Sequence, residues 1–444
     1  MSKYSGRGLL ASFENEEDTV DAAPMVEDAD NAEAALADAG EVQADINEAE
    51  GVVDQAIEDS ETLETVASQL ESREQSGGAT PEEAEMAEIT VESICNRLGI
   101  ARNPMQSMES FSSRSSRVRA TRLSVEGIRE VGDTIWKYIV KIYKKIKEWV
   151  LKAWDYLFDA RTKLLRRAKA LEARVDKVEG TPKEAVIQGS FVEPLSTKAG
   201  FEGIKNAANL ADCVKAINDT AKVRIGDEVG AAVTALETKA NDGAEKVKAV
   251  IDKIFTSLGV DVKGKISKPK DDKNYKSVFD KDLGNEVPVI VASGDFSAAP
   301  TDKESGKVYL KAKVEVVKQV TKFNKDFKAK VLTESEMSTA ISAVVSALED
   351  LEETNKDIKK YQSELEKAIK KFESVGQSPS NDTASKEANK AAKEMMKALT
   401  AIPRLTSGIL TSGTRVVLNY CRSAMDYVQK SAAQYKNNDE DDGD

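Results

Sequence analysis

The sequence contains no histidine and only three cysteines among its 444 residues. Without imidazole the chain lacks the commonest general base and metal ligand, so a His-dependent triad is excluded and a zinc site is not expected. Cys95, Cys213 and Cys421 are odd in number and far apart, which argues against a disulfide framework and indicates a reducing compartment. We expect these cysteines to be small buried residues, and we expect no cofactor.

Long apolar runs are also missing. No stretch of 18 apolar residues occurs, so the sequence predicts no membrane-spanning helix, and the short apolar run at 9–11 does not resemble a secretory signal. Aromatic residues make up 5% of the chain and charged residues 32%. This composition is typical of long, solvated helices with Ala-rich seams and is unlike that of a large α/β core.

The net charge of −13 conceals two parts of opposite sign. Residues 1–100 contain 26 acidic and 4 basic residues, whereas residues 101–444 contain 51 acidic and 60 basic residues. The sign changes within the Ser-rich stretch PMQSMESFSSRSSRVRA at 104–120. An asymmetry of this strength indicates an interaction or masking segment. We therefore divide the chain into an acidic arm, residues 1–109, and a basic body, residues 110–444.

The acidic arm is predicted to be disordered in part and helical in part. Residues 1–40 are acidic and poor in aromatics, so we expect disorder there. Apolar residues recur at helical spacing over 41–74, which predicts one or two amphipathic helices. A sharper helix begins with a capping box from Thr80 to Glu83, with Pro81 at its first position, and ends at Gly99.

A basic Ser/Arg linker is predicted over 110–122, and a long amphipathic helix opens the helical region 123–258. The helix carries all three tryptophans and a row of lysines. Three interpretations stay open: a core helix, which its apolar stripe favours, a helix on a membrane surface, or contact with a phosphate backbone. The candidate contact residues are Arg114, Arg117, Arg119, Arg122, Lys137, Lys141, Lys144, Lys145, Trp136, Trp149 and Trp154.

The remainder of the chain is predicted to be helical around a small β insertion. Residues 259–320 alternate in places and predict two to four antiparallel strands. Residues 321–436 predict a coiled-coil-like helical hairpin that starts with a Thr333–Glu336 capping box and has Asn355 at a core position. We expect its first helix to pair with the following segment of the same chain, because the loop between them is short. Residues 437–444 form an acidic tail.

These elements together predict a mainly α protein: a multi-helix bundle with a coiled-coil-like hairpin, a small antiparallel β insertion and a disordered acidic N-terminal arm. No element shows a strong catalytic motif. The segment GVDVKGK at 259–265 fits seven places of a phosphate-binding loop, but Ile266 stands where Ser or Thr must hold magnesium. Carboxylate chemistry within 180–320 would need a concave pocket. We expect no catalysis and no small-molecule substrate.

The order of segments provides a further indication. An acidic arm ends at Ser107-Met108-Glu109, followed by Ser110-Phe111, a basic stretch over 114–122 and a Trp/Lys helix over 135–158. This layout, which covers roughly residues 1–170, resembles the internal head proteins of large tailed bacteriophages. The resemblance implies cleavage after Glu109 by a prohead protease during capsid maturation. Ser124, Val125 and Glu126 repeat the small-x-Glu pattern as a second candidate.

The resemblance also implies where the protein works and what it contacts. It would be synthesised in the host cytoplasm and packed inside the virion head with capsid or other head proteins. The mature part would stay with the packaged DNA or leave the head with it. The alternative is a membrane-active or ejected effector that acts through the amphipathic helix over 130–160.

Overall fold

The computed structural model describes residues 22–101, 108–222, 227, 273–293, 313–321, 323, 327–375 and 404–437. Within these residues the protein is mainly α-helical, which confirms the predicted fold class. The helices are α1 (Ala22–Gln75), α2 (Pro81–Leu98), α3 (Arg114–Val175), α4 (Leu210–Ala221), α5 (Glu334–Val375) and α6 (Thr414–Ala432). The strands are β1 (Val178–Glu179), β2 (Val186–Ile187), β3 (Ser196–Thr197), β4 (Gly200–Phe201), β5 (Lys273–Ser277), β6 (Glu286–Ser293), β7 (Lys313–Lys318), β8 (Ala329–Lys330) and β9 (Lys436–Asn437).

Two very long helices, α1 and α3, lie antiparallel and make the most extensive contact in the helical bundle. At 54 and 62 residues they extend about 80 and 90 Å. The structure corrects two expectations here. Residues 22–40 are helical, because Ala32, Ala35 and Leu36 are buried in the shared core. Residues 114–122 are the first turns of α3, so they do not form an unstructured linker.

Helix α2 begins and ends as the sequence predicts. The Thr80 side chain accepts a hydrogen bond from the Glu83 amide, and the Glu83 side chain accepts one from the Thr80 amide. Gly99 ends the helix in the left-handed conformation with φ 62°. Two of its apolar residues, Met86 and Ile89, are exposed at 72% and 60%.

The C-terminal hairpin is confirmed for its described part. Helix α5 runs antiparallel to the C-terminal helical segment, residues 404–432, which comprises residues 404–408, a π-helical turn at Ile409–Gly413 and α6. The Tyr361 hydroxyl lies 2.7 Å from Thr406 Oγ1 and 2.9 Å from Ser407 Oγ. Helix α5 also packs on α3, where Asn355 accepts a hydrogen bond of 3.2 Å from Trp154 Nε1.

The β insertion forms a three-stranded antiparallel sheet in the order β5-β6-β7. Val287, Val289 and Val291 form a small apolar cluster on β6. Ile290 and Val314 belong to the main core and face the C-terminal helical segment. A Cβ atom on Gly408 would lie 2.8 Å from Val314 Cβ, so this contact requires glycine.

Several predictions lie outside the described residues. These are the disorder of residues 1–21, the helical region over 228–258, the loop at 259–265, the part of the β insertion at 294–312, the part of the C-terminal hairpin at 376–403 and the acidic tail from 438.

Candidate interface between the acidic arm and the basic body

The acidic arm lies against the basic body along most of α1. The contact between α1 and α3 is the most extensive helix contact among the described elements. Buried residues recur along α1 in steps of three and four, forming the α1 seam: Leu36, Ala39, Gln43, Ile46, Glu50, Val53 and Ile57. Because the apolar members of this seam belong to the same cluster as the buried residues of α3, arm and body share one hydrophobic core.

Two positions of the α1 seam are polar and stand one heptad apart. Gln43 accepts a hydrogen bond from the Thr411 hydroxyl, and the carboxyl of Glu50 faces Arg404. Thr411 and Arg404 are also one heptad apart, on the C-terminal helical segment that runs antiparallel to α1. Polar residues at seam positions favour the one register in which their partners meet.

The Arg404 cluster consists of Arg404 from the body and Glu50 and Asp54 from the arm. The Arg404 guanidinium binds the Asp54 carboxylate with both ends, at 2.6 Å from Nη2 to Oδ1 and 3.2 Å from Nη1 to Oδ2. Arg404 Nε lies 3.8 Å from Glu50 Oε2. Arg404 is only 3% exposed and Glu50 5%. A charge this deep in a protein is retained only with a partner, and the arm supplies it.

Burial and neighbouring charges shift the pKa values of the Glu50 carboxyl and the Arg404 guanidinium away from those of exposed groups. Burial raises the pKa of Glu50 to about 7, and the neighbouring Asp54 adds to this rise, while Arg404 and Lys313 oppose it. Burial alone would lower the pKa of Arg404, but Tyr143, Glu50 and Asp54 raise it, so the guanidinium remains charged. Near neutral pH, therefore, Asp54 is the main counter-ion of Arg404, and Glu50 is the group closest to its titration point.

Further ion pairs follow the edges of the interface. Each joins an acid of α1 to an arginine of the body, and their order shows the antiparallel arrangement: Glu74 with Arg122 at 2.7 Å, Glu71 with Arg129, Asp28 with Arg166 at 3.2 Å and Glu33 with Arg422 at 2.5 Å. Most of these pairs are solvated and contribute up to about 1 kcal/mol each. Their main consequence is charge matching, because part of the arm's negative charge is paired within the protein.

The turn between α1 and α2 is also fixed to the body. The Ala79 amide donates a hydrogen bond of 2.9 Å to Thr121 Oγ1 of α3. Gly78 has φ 91°, and a Cβ atom there would lie 2.5 Å from Arg117 Cβ. Only glycine satisfies both conditions. The arm therefore contacts the first turns of α3, which were predicted to be linker.

The predicted cleavage site lies where the arm meets the body. Ser107 is outside the described residues, and Glu109 and Ser110 lie in a single 3-10 turn, Met108–Phe111. The Glu109 carbonyl accepts hydrogen bonds from the Ser112 amide at 3.2 Å and the Ser112 hydroxyl at 2.7 Å. Phe111 is 1% exposed, and its carbonyl accepts a hydrogen bond from Arg117 Nε. This side of the junction is ordered, contrary to the expectation of an unstructured segment.

The second candidate cleavage site lies within a continuous helix. Ser124 and Val125 are buried in the middle of α3, and only Glu126 is exposed. A protease binds extended backbone, so cleavage there would require α3 to unfold locally.

The lysines of α3 lie on the side of the helix that faces away from the core. Lys137, Lys141, Lys144, Lys145 and Lys152 are exposed, and we call these five residues the lysine face. Between residues 137 and 152 the sequence contains six lysines and one acid, Glu148. Lys145 Nζ lies 4.7 Å from the centre of the half-buried Trp149 ring. The structure thus brings together the predicted lysine contacts on a surface that α1 leaves uncovered.

The other predicted contact residues are divided between core, arm contacts and surface. Trp136 and Trp154 are buried in the main core cluster, which corrects their assignment as surface contacts, and Trp154 Nε1 donates a hydrogen bond to Asn355 of α5. Arg122 pairs with the arm and Arg117 with the junction turn, whereas Arg119 is exposed. The side chain of Arg114 is outside the described set.

Sequence reasoning missed the Arg404 cluster, although a signal for it exists. Ile46, Glu50, Val53 and Ile57 follow the same four-three alternation that identified Asn355 in α5. A carboxylate at such a position indicates a buried polar partner. The identity of that partner could not be inferred, because Arg404 is more than 350 residues away along the chain.

Metal binding, membrane spanning and thiol chemistry find little support in the described residues. No group of His, Cys, Asp or Glu there could hold a metal ion, and no helix among them is long and apolar enough to cross a membrane. All three cysteines are buried, as expected. Burial raises the pKa of the Cys213 thiol to about 12, which disfavours its thiolate. A cavity of about 310 Å³ near Val186 is lined by Glu184, Lys328 and Lys430, among others.

The model of a protein family described as phiKZ-like phage internal head proteins matches residues 41–430. No curated protein and no solved structure matches the chain.

Proposed function

The chain belongs to the phiKZ-like phage internal head proteins, and from this premise we propose that it is a non-enzymatic precursor that is cut near Glu109 and packed with DNA in the head. Membership of the family makes it a structural protein of the virion head interior. The partners of the proposed process are a prohead protease, capsid or other head proteins, and the packaged genome.

One observation carries most of this proposal: the family match begins at residue 41, within the acidic arm, and continues through the basic body to 430. Arm and body also share one hydrophobic core. The arm is therefore part of the folded protein that enters assembly. Its acids meet arginines of the body, which fits a segment that neutralises a basic protein until the head is built.

We propose cleavage after Glu109 because this residue is exposed, lies where the chain changes from acidic to basic, and ends a small-x-Glu triplet. Mass spectrometry of the protein from native particles should find an N-terminus at Ser110. Glu109→Gln should abolish that terminus, because the protease would read the carboxylate. Glu126→Gln, which alters the second triplet, should leave it unchanged. Intact arm and body in mature particles would refute maturation at this site.

We propose that the lysine face binds the phosphate backbone. Its first and last residues, Lys137 and Lys152, are 15 positions apart on α3, about 22 Å along the helix axis. Duplex DNA carries one negative charge per about 1.7 Å, so several phosphates lie within reach of such a row. Because the face lies away from α1, the docked arm leaves these lysines accessible, while its acids lower the attraction of the whole protein to DNA.

A pair of double variants tests this surface. Lys137→Gln with Lys141→Gln should weaken DNA binding and reduce the slope of log K against log salt by about 2, one phosphate contact per lysine. The matched control, Lys356→Gln with Lys359→Gln, removes two exposed lysines from α5, where acidic residues are dense. It should leave the slope unchanged. Equal loss in both double variants would show that only net charge matters.

The alternative, a membrane-active effector, would use the other side of the same helix. Trp136 and Trp154 would have to leave the core and expose the stripe that α1 and α5 cover. Leakage from vesicles of anionic lipid on addition of the full chain would support it. Absence of leakage at micromolar concentration would remove it.

A further inference from the structure

We propose that a cut at the junction does not release the acidic arm, and that α1 and α2 remain docked on the basic body as the second chain of a two-chain protein. The inference rests on the proposed function, because it concerns the product of the proposed cleavage. It changes what that cleavage achieves: the covalent link is lost, while the charge of the particle-bound protein stays almost as it was.

The first support is the core that arm and body share. The arm contributes, among others, seven buried Leu, Ile and Val side chains to the cluster that also holds the buried stripe of α3: Leu36, Ile46, Val53, Ile57, Leu63, Val91 and Ile94. These contacts are made by side chains far from residue 109, so a cut there removes none of them. Separation of the two parts would expose apolar surface on both, which opposes dissociation.

The second support is the Arg404 cluster. In the absence of the arm, Arg404 would lose the Asp54 carboxylate that binds both ends of its guanidinium. Thr411 would lose its hydrogen bond to Gln43, and Thr121 its bond from the Ala79 amide. Removing one partner of a buried ion pair is costly because the remaining charge is left uncompensated. Three polar side chains of the body would therefore each lose a hydrogen-bond partner if the arm left.

The third support is the junction itself. Phe111 is buried against the body and Arg117 holds its carbonyl, so the new N-terminus at Ser110 would be anchored. On the other side α2 ends at Gly99, and Cys95 and Leu98 are buried. The new N-terminal end is thus fixed by contacts of its own, and the last helix of the arm before the junction is buried at its C-terminal end, so neither described side of the cut depends on the severed bond.

Retention of the arm has a consequence for the charge of the product. Residues 110–444 alone contain 59 bases and 50 acids, whereas the whole chain has a net charge of −13. A docked arm keeps its acids beside the arginines of the body. A switch to a DNA-attracting protein would then need a second step after the cut, namely degradation or displacement of the arm.

An engineered cut tests the inference without the natural protease. Residues 102–107 are replaced in the full chain by the recognition sequence of a site-specific protease, and the protein is cleaved to completion in native buffer. Size-exclusion chromatography at low and at high salt should show arm and body eluting together in equimolar amounts. Elution of the arm apart from a folded body would overturn the proposal.

A matched pair of variants then tests the Arg404 cluster. Asp54→Asn in the cleavable chain should weaken retention of the arm, with a dissociation constant about 100-fold higher. Asp45→Asn makes the same change on the exposed side of the same helix and should have no effect. Equal retention in both variants would show that the cluster does not hold the arm. If native particles lack a Ser110 terminus, the proposed cleavage fails while the result of the engineered cut still stands.

Discussion

Glu50 allows a test of the interface that changes one proton and little else. Its carboxyl is buried at a seam position of α1, facing Arg404, with Asp54 on the same helix and Lys313 on β7 nearby. Replacement by Gln keeps the size and most of the polarity of the side chain but removes its ionisation. The variant therefore separates the cost of burying the charge from the packing of the arm.

The direction of the effect follows from the raised pKa of Glu50. The carboxyl has an ordinary pKa of 4.5 and a pKa of about 7 in the folded protein. Below pH 4.5 it is neutral in both states, and the free energy of unfolding is not affected. Between pH 4.5 and 7 the unfolded chain ionises first, so the folded state loses stability, and above pH 7 the loss is complete. The difference between the two values corresponds to roughly 3 kcal/mol.

Glu50→Gln should lack this loss. Relative to the natural chain, its free energy of unfolding should rise by roughly 3 kcal/mol between pH 4.5 and pH 8. Denaturant unfolding can be followed by tryptophan fluorescence, because all three tryptophans lie in α3, which α1 covers. Glu48→Gln, an exposed acid of the same helix, should run parallel to the natural chain at every pH.

Two outcomes would refute the reasoning. Parallel curves for the natural chain and Glu50→Gln would show that Glu50 is not buried in a way that penalises its charge. A natural chain that gains stability over the variant above pH 7 would show that attraction to Arg404 outweighs burial.

Three further substitutions test the packing around this interface, each by the free energy of unfolding. Arg404→Met should cost about 3 kcal/mol or more by breaking the buried ion pair with Asp54, and a neutral result would contradict the buried pair. Gly408→Ala should cost about 1–3 kcal/mol, because its Cβ would lie 2.8 Å from Val314 Cβ; unchanged stability would mean that β7 moves freely. Gly127→Ala should add about 0.5–1 kcal/mol, since the new methyl group meets no atom within 4 Å inside α3, and a loss would indicate a contact there.

The packing of α1 on α3 changes how the acidic arm is interpreted. A composition of this kind in isolation indicates a detachable, solvated segment, and the arm was first interpreted in that way. In the structure α1 is the principal partner of α3, and its acids are distributed between solvent and the arginines of the body. The arm therefore has two roles in the interior of the fold: it covers apolar surface and it neutralises arginines.

Helices with a clear apolar period and a clear cap were predictable from the sequence. The capping boxes at Thr80 and Thr333 are present, and the seam of α5 is buried as its spacing predicts. Asn355 was recognised as a polar residue in that seam, and it bonds Trp154. Such features depend on residues within one or two turns of each other, so the local sequence contains the whole signal.

The helicity of residues 22–40 and 114–122 was not predictable in the same way. These residues are acidic or Ser- and Arg-rich, and in isolation neither segment has enough apolar area to order itself. They are helical because α1 and α3 each bury a stripe against the other, with Glu74 beside Arg122 at one end and Asp28 beside Arg166 at the other. The partners are 48 positions apart at the first end and 138 at the second, and no local window contains both.

The amino-acid sequence by itself determined the sign of the net charge of each segment, the apolar periodicity of the helices and the absence of imidazole chemistry. These are properties of composition and of near neighbours. Only the tertiary structure decided that Arg404 meets Asp54, that Trp136 and Trp154 are buried while Lys137 and Lys141 face outward, and that the acidic arm is part of the core. Those outcomes depend on which distant surfaces exclude water together, and this is settled only when the whole chain packs.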